Sequence, residues 1–274
     1  MPSDFEAKPF VKWVGGKRQL LPSIAEIVTP RLKPGATYHE PFIGGGAVFF
    51  RLQPKRAVLT DSNERLIRTY RGIKKDVDGV IRRLRSYPHD KDFYLKTRAR
   101  DIDGADDVEI AAWFIYLNRT GYNGLYRVNS KNGFNVPFGD YKNPTICDAD
   151  NLRACSRALK GGRITIQKRD FEGVLSRAVR GDFVYFDPPY IPLTATSRFT
   201  DYTSEGFSDA EQVRLRDVAL ELKKRGVSVL LSNSSAPRVY DLYGDHFQIQ
   251  EALARRSVNC NPNGRGRIPE LLIY

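Results

Sequence analysis

Short apolar runs alternate with helical patterns in two parts of the chain, 37–61 and 163–274. The clearest run predicts a strand at 182–186, and shorter runs lie at 57–60, 164–166, 227–231 and 271–274. The pattern over 208–225 predicts a helix, because Ser208 and Glu211 form a capping box and Gly226 stands where helices end. Strands and helices in regular alternation indicate a doubly wound, Rossmann-like α/β fold with a mixed sheet.

The stretch 66–148 follows a different pattern. Residues 66–100 are charged and helix-like, and 111–117 are apolar and helical. Two short β-like runs, 125–129 and 134–138, flank Asn132-Gly133, a dipeptide that favours the tight turn of a β-hairpin. We therefore predict a helical subdomain with a β-hairpin, inserted between strands of the sheet. The predicted division is a main domain of 1–65 and 149–274 and an inserted subdomain of 66–148.

Charge points to the class of partner. Lys and Arg number 44 against 32 Asp and Glu, which gives a formal net charge of +12. Such an excess suits a polyanion, because lysine and arginine contacts to phosphates release condensed counterions. Charge alone leaves open whether the chain binds nucleic acid or is an unrelated basic protein.

Composition excludes several classes. Hydrophobic residues make up 41% and charged residues 28% of the chain, which is ordinary for a globular protein. No apolar run reaches the roughly 18 residues of a transmembrane helix, so we expect no membrane span. The three cysteines form no CxxC pair and the three histidines are far apart, which predicts neither a disulfide framework nor a metal site. We expect a reducing, cytoplasmic setting.

A glycine loop, Gly44-Gly45-Gly46, follows a short predicted strand at 37–40, and Asp61 ends the next predicted strand, at 57–60. Glycines at a strand-to-helix turn let a ligand lie against bare backbone. A carboxylate at the end of the next strand can accept hydrogen bonds from both ribose hydroxyls of an adenosine-type ligand. A tight turn and a helix-capping aspartate remain the alternative. The glycine spacing is not GxGxxG, which disfavours a dinucleotide oxidoreductase.

The motif Asp187-Pro188-Pro189-Tyr190 ends the clearest strand. Two prolines fix a rigid extended loop at the carboxyl edge of the sheet, where doubly wound folds bind ligands. The N6 amine of adenine is a poor nucleophile, because its lone pair is delocalised into the ring. A carboxylate and a backbone carbonyl that accept hydrogen bonds from the amine would localise that lone pair and offset the developing positive charge. Asp187 and the Pro188 carbonyl can supply this pair, and Tyr190 can stack on an extruded base. A rigid structural turn is the alternative for the motif.

Taken together, the motifs resemble the Dam family of DNA adenine-N6 methyltransferases. The matching pieces are KWVGGK at 12–17, EPFIGGG at 40–46, Asp61-Ser62-Asn63, LNRTGYNGLYR at 117–127, FNVPFG at 134–139, DPPY at 187–190, LLSN at 230–233 and ELLIY at the end of the chain. They cover nearly the whole chain in the family's order. The resemblance implies a class I methyltransferase fold whose inserted hairpin subdomain recognises DNA.

The resemblance implies S-adenosylmethionine as methyl donor. The residues that it assigns to the cofactor, together with the glycine loop, are Trp13, Lys17, Phe42, Gly44, Gly46, Asp61, Asp170, Phe171 and Asp187. Those that it assigns to catalysis are Asp187, Pro188, Pro189 and Tyr190. The amine would attack the sulfonium methyl by direct displacement, which requires neither a metal nor a cysteine nucleophile.

The resemblance also implies contacts to double-stranded DNA. Arg127 matches an arginine that reaches a guanine, Lys12 a lysine that reads the outer guanine, and Tyr122 an aromatic beside the extruded adenine. Asn123, Leu125 and Pro137 match further positions near the bases. These matches predict GATC as the target. Phosphate binding without sequence reading is the alternative for Arg127 and Lys12.

Two segments depart from the family pattern. Arg169 stands where small or acidic residues are usual, and the arginine- and glycine-rich segment 261–267 is expected to be a phosphate-contacting or solvated loop. The resemblance favours a monomer acting on DNA in the cytoplasm, bacterial, archaeal or phage-encoded. A cognate restriction endonuclease for the same site stays open.

Other enzymes and binding proteins compete with this interpretation. An N4-cytosine methyltransferase more often has Ser at the position of Asp187, and an RNA adenine methyltransferase more often has Asn there. A C5-cytosine enzyme needs a Pro-Cys pair, and none of the three cysteines follows a proline. A DNA-binding regulator that had lost catalysis would show a damaged DPPY motif or cofactor pocket.

Overall fold

The computed structural model describes residues 6–17, 19–193, 207–255 and 267–274. They divide into two compact units. Among the described residues, the first comprises 6–16, 44–55 and 61–168, and the second 17, 19–43, 56–60, 169–193, 207–255 and 267–274. The division into a catalytic and a target-recognition part at 66–148 stays a prediction.

The described helices are α1 (Leu21–Val28), α2 (Ala47–Leu52), α3 (Glu64–Lys75), α4 (Val77–Arg85), α5 (Lys91–Arg98), α6 (Asp107–Thr120), α7 (Ala149–Lys160), α8 (Asp209–Lys224) and α9 (Pro237–Tyr243), with short 3-10 helices at Tyr122–Gly124 and Phe171–Ser176. The described strands are β1 (Tyr38–Glu40), β2 (Arg56–Asp61), β3 (Arg163–Lys168), β4 (Phe183–Phe186), β5 (Ser228–Ser234), β6 (Ile249–Arg255) and β7 (Arg267–Ile273).

The sheet of the second unit is mixed. Its strands follow the order β2-β1-β4-β5-β7-β6. The pairs β1–β2, β1–β4 and β4–β5 are parallel, whereas β7 is antiparallel to both β5 and β6. This arrangement confirms the predicted α/β architecture with a mixed, mostly parallel sheet. The carboxyl ends of β1 and β4 therefore meet at one edge.

Helix α8 packs its apolar stripe into the core of this second unit. Leu215, Ala219 and Leu222 recur at helical spacing and are buried. Each leucine buried in this way stabilises the fold by about 1.5–3 kcal/mol. The helix begins as predicted, with the Ser208 hydroxyl accepting from the Glu211 N–H, and it ends before Gly226, whose φ is 78°.

Helix α6 is the buried centre of the first unit. Most of its residues are buried, and the buried ones include Trp113 and Phe114. A helix that is apolar around its whole circumference has to be enclosed by other elements. It begins earlier than the apolar pattern predicts, because Asp106 accepts a hydrogen bond from the Glu109 N–H and caps it.

The predicted hairpin is present as a turn with little ladder. Val128 and Phe134 form an isolated antiparallel bridge, and Asn132 has the left-handed φ of 59° that the turn requires. The runs 125–129 and 134–138 do not become named strands. Pro137 has no N–H to donate to a ladder, which limits the pairing on that side.

Candidate active site

The DPPY motif follows β4 directly, so Asp187 lies at the carboxyl ends of the parallel strands of the sheet. Its side chain is 22% exposed, and the Lys17 ammonium lies 2.8 Å from Oδ1. Burial raises the pKa of Asp187 above its usual range, and the charge of Lys17 opposes that rise. The result is a carboxylate that is partly withdrawn from water and held in one orientation.

Tyr190, the last residue of the motif, is fixed at two points. Its hydroxyl donates to Glu270 Oε2 at 2.9 Å, and the Lys17 ammonium lies 4.6 Å from the ring centroid. Burial and the neighbouring carboxylates raise the pKa of Tyr190 well above its usual value. The phenol therefore stays protonated and remains a donor.

Side chains from α8 and β5 hold the backbone of the motif. Gln212 Nε2 donates to the Pro189 carbonyl at 2.9 Å, and Asn233 Oδ1 accepts from the Ile191 N–H at 3.0 Å. Both side chains are buried, so losing either would leave a polar group without its partner. In the described part of the chain, nothing donates to the Pro188 carbonyl. That oxygen can accept from a ligand.

An aromatic cluster of Phe42, Phe171 and Phe207 lies in the second unit, where Phe42 follows β1. The ring of Phe42 stacks on Phe171 at 5.5 Å and meets the edge of Phe207 at 5.8 Å. The Arg214 guanidinium lies over the ring of Phe171, 4.5 Å from its centroid, and donates a hydrogen bond to Asp170 Oδ2 at 2.9 Å. This arrangement places an apolar surface beside an anchored carboxylate, a pairing suited to a purine ring.

The first unit carries the glycine loop and Asp61. Asp61 Oδ2 accepts from the Gly44 N–H at 3.1 Å, and Oδ1 accepts from the Asn63 N–H at 2.9 Å. Burial raises the pKa of Asp61, and these backbone donors oppose the rise. Each carboxylate oxygen keeps acceptor capacity for a hydroxyl.

Trp13 closes over the same loop. Gly44 has a φ of 45°, and a Cβ at this position would lie 2.6 Å from Trp13 Cδ1. Tyr70, which belongs to none of the sequence motifs, donates its hydroxyl to the Gly44 carbonyl at 2.9 Å. Gly46, with a φ of 72°, precedes α2. The loop is thus walled by an indole, and the carboxylate of Asp61 beside it can accept from the hydroxyls of an adenosine-type cofactor.

Lys12 is held through its backbone. Asn118 Oδ1 accepts from the Lys12 N–H at 2.7 Å, and Asn118 Nδ2 donates to the carbonyls of Lys12 and Gly124 at 2.9 and 2.6 Å. The Lys12 ammonium lies 4.2 Å from the Tyr141 centroid. Asn118, also missed from the sequence, therefore fixes a lysine whose side chain is exposed.

The stretch after α6 presents the other residues assigned to DNA. Tyr122 is 50% exposed, so its ring is accessible from solvent. Its N–H donates to the Pro137 carbonyl at 2.9 Å, and its neighbour Asn123 has a φ of 53°. Leu125, with its N–H bonded to the Tyr122 carbonyl, is partly buried.

Arg127 lies across the hairpin from Asn135. Its Nε donates to Asn135 Oδ1 at 2.7 Å, and its Nη2 donates to the Asn135 carbonyl at 3.1 Å. These two bonds orient the planar guanidinium before any partner binds. The fork geometry suits bidentate contacts to a base edge or a phosphate.

The sequence profile of the D12 class N6 adenine-specific DNA methyltransferases matches residues 13–258. The chain belongs to this family. It is an adenine-specific DNA methyltransferase, EC 2.1.1.72, which confirms the Dam-family resemblance. Members of the family use S-adenosylmethionine and act on DNA.

Relatives of this D12 class methyltransferase match it over almost their full length. The type II methyltransferase M1.LlaDCHI of Lactococcus lactis subsp. cremoris is 47% identical, over 97% of this chain and 94% of the relative. The type II methyltransferase M.MjaIII of Methanocaldococcus jannaschii is 43% identical, over 98% and 99%. The DNA adenine methylase of Escherichia coli is 33% identical, over 97% and 94%.

The structure of the D12 class methyltransferase bears on the expected membrane spans and metal sites. None of the helices among the described residues has both the length and the apolar character of a membrane span. The same residues contain no group of three or more His, Cys, Asp or Glu side chains placed to hold a metal ion. Most of the arginine- and glycine-rich segment, 261–266, lies outside the described residues, so its predicted loop is not tested.

Proposed function

We propose that this methyltransferase modifies adenine within GATC, after the base has been flipped out of duplex DNA. The observation that supports the chemistry is the arrangement of the DPPY motif. An oriented carboxylate on Asp187, an available carbonyl on Pro188 and a fixed ring on Tyr190 follow one another at the edge of the sheet. They provide two acceptors for an amine and a stacking surface for its base.

The residues of the motif divide the work. Asp187 and the Pro188 carbonyl accept one hydrogen bond each from the N6 amine, which localises its lone pair and stabilises the positive charge that develops on nitrogen. Tyr190 stacks on the extruded adenine, which offsets part of the few kcal/mol that flipping costs. The amine loses its proton to solvent after the methyl group has moved.

We propose S-adenosylmethionine as the cofactor, which supplies an already activated methyl group when bound. In the first unit, Trp13, Gly44 and Gly46 would form a wall and cradle, and Asp61 would accept from the ribose hydroxyls. In the second unit, Phe42, Phe171 and Asp170 would hold the adenine moiety, and Lys17 would lie beside the methionine part.

Recognition of GATC is proposed for Lys12 and Arg127, with Tyr122, Asn123, Leu125 and Pro137 near the bases. The exposed ring of Tyr122 and the oriented guanidinium of Arg127 support this assignment. Because two relatives are named type II methyltransferases, we also propose that a restriction endonuclease acts on the same site. The enzyme would act as a monomer on DNA in the cytoplasm of a prokaryotic cell, encoded by the cell or by a phage.

Digestion of host DNA tests the target. The protein is expressed in a host that lacks adenine methylation, and the recovered DNA is treated with two nucleases of opposite methylation dependence at GATC. We expect resistance to the nuclease that methylation blocks and cutting by the one that requires it. The Asp187→Ala variant is the control and should leave the DNA unmodified. Unmodified GATC in DNA that nevertheless contains N6-methyladenine would show that the target is another sequence.

A further inference from the structure

Glu270 is the partner of the motif's tyrosine, although it lies far from the motif in sequence. It belongs to β7, where it is paired with Ser234 of β5. Its Oε2 accepts the Tyr190 hydroxyl at 2.9 Å. The last antiparallel strand of the sheet thus places a carboxylate against the end of the catalytic loop.

A second carboxylate close to Asp187 has an electrostatic cost. Burial is the largest cause that raises the pKa of Asp187, and the negative charge of Glu270 raises that pKa further. A neutral acceptor would bind the tyrosine hydroxyl without this repulsion. A hydrogen bond to a charged acceptor is, however, stronger than one to a neutral acceptor, and this strength fixes the donor more tightly.

The ring of Tyr190 is therefore restrained at its edge and on one face. Glu270 holds the hydroxyl, and the Lys17 ammonium, itself paired with Asp187, lies over the ring. Rotation about the two side-chain torsions of a tyrosine would otherwise have to be frozen each time a base stacked on it. A ring that is already fixed avoids that cost.

We propose that Glu270 is a positioning residue for methyl transfer, which holds Tyr190 in the orientation on which the target adenine stacks. The inference rests on the proposed role of Tyr190 in base stacking. It does not depend on the target sequence or on which residues bind the cofactor.

The test compares Glu270→Ala, Glu270→Gln, Tyr190→Phe and the double variant Glu270→Ala with Tyr190→Phe. The substrate is genomic DNA without N6-methyladenine, and methylated adenine is counted, so that the result does not require GATC. We expect Glu270→Ala to lower kcat about tenfold, as loss of a charged hydrogen bond would. KM for S-adenosylmethionine should remain within about twofold of the wild type. Glutamine keeps an acceptor, so Glu270→Gln should recover most of the loss.

The double variant separates positioning from other roles. If Glu270 acts through the tyrosine hydroxyl, removing it should add little once Tyr190→Phe has removed that hydroxyl. Equal losses in both backgrounds would overturn the proposal, and so would full activity of Glu270→Ala. Circular dichroism and thermal unfolding show whether each variant is folded. If Glu270→Ala is not, Tyr190→Phe removes the same hydrogen bond from the other side and should lower kcat to a similar extent. Full activity of Tyr190→Phe would then overturn the proposal. Methylation of adenine outside GATC by the wild type would refute the proposed target and leave this comparison intact.

Discussion

The Lys17 ammonium lies 2.8 Å from the carboxylate of Asp187, the residue that begins the DPPY motif. The contact joins a loop near the start of the chain to the end of β4. Lys17 is buried, whereas Asp187 is partly exposed. A lysine in this position stabilises the ionised form of the carboxylate, and only the ionised form can accept two hydrogen bonds without also donating one.

Replacing Lys17 with methionine should move the acid limb of the pH–rate profile. Burial already raises the pKa of Asp187, and without Lys17 nothing equivalent opposes that rise. Asp187 then becomes protonated at a higher pH, so kcat should begin to fall at a higher pH as the solution is acidified. The measurement is kcat against pH at saturating cofactor and DNA.

The control for this variant is Lys168→Met, which removes an exposed lysine from a surface pair with Glu64 at 3.2 Å. Its profile should match the wild type, because exposed pairs contribute little. An unmoved acid limb in Lys17→Met would mean that another group governs it.

Gly44→Ala should weaken cofactor binding through Trp13. The new Cβ would lie 2.6 Å from the indole, and the φ of 45° strains any side chain. Such strain costs about 1–3 kcal/mol. We expect the added methyl group to displace Trp13 and so to weaken the binding of S-adenosylmethionine. Each 1.4 kcal/mol of the strain that is relieved in this way lowers the affinity about tenfold. Titration calorimetry with S-adenosylmethionine measures the change.

Gly35→Ala is the matched control, because Gly35 has a φ of 86° with nothing near the added Cβ. It should lower the melting temperature without altering cofactor affinity. If both variants bind the cofactor as the wild type does, the indole is not part of the cofactor wall.

The features that the sequence predicted depend on short stretches of chain. The cap at Ser208, the strand before Asp187 and the glycine loop each follow from neighbouring residues. The two prolines of DPPY likewise define a rigid loop by themselves. The family resemblance added assignments for single positions, which lie in both units.

The contacts that the sequence could not predict join residues far apart in the chain. Two examples are the hydrogen bonds of Tyr190 with Glu270 and of Lys12 with Asn118. Both bonds depend on strand register and helix packing, which no local pattern specifies. Gln212 left one usable signal. It lies three positions before Leu215 on the apolar face of α8, and a polar residue on such a face must find a buried partner.

Stability should fall at mildly acidic pH because of His39. Its Nε2 lies 3.1 Å from Asp182, and within the described residues its Nδ1 has no hydrogen-bond partner. Burial lowers the pKa of His39, with a smaller contribution from Arg177 in the same direction and an opposing one from Asp182. The unfolded chain therefore binds a proton near the ordinary pKa of about 6.5, whereas the folded chain does so only at lower pH.

As pH falls below about 6.5, the free energy of unfolding should decrease by at most about 1.4 kcal/mol per pH unit from this group. Urea unfolding measured across this range would detect the slope. The exposed His246 provides the control, so that His246→Gln should keep the slope and His39→Gln should flatten it. Identical slopes in both variants would assign the pH dependence to other groups.

Arg127→Ala should relax discrimination at a single base pair. The two bonds to Asn135 present the guanidinium as a fixed fork, and a fork that contacts one guanine contributes about 1–3 kcal/mol to discrimination at that position. Lysine has no fork, so Arg127→Lys should also lose selectivity. The measurement is kcat/KM on duplexes that differ from GATC at one base pair. Lys131→Ala, at the exposed turn of the same hairpin, is the comparison, and any effect it has should be uniform across sequences. A uniform loss with Arg127→Ala as well would mark Arg127 as a phosphate contact and remove it from the reading of the target.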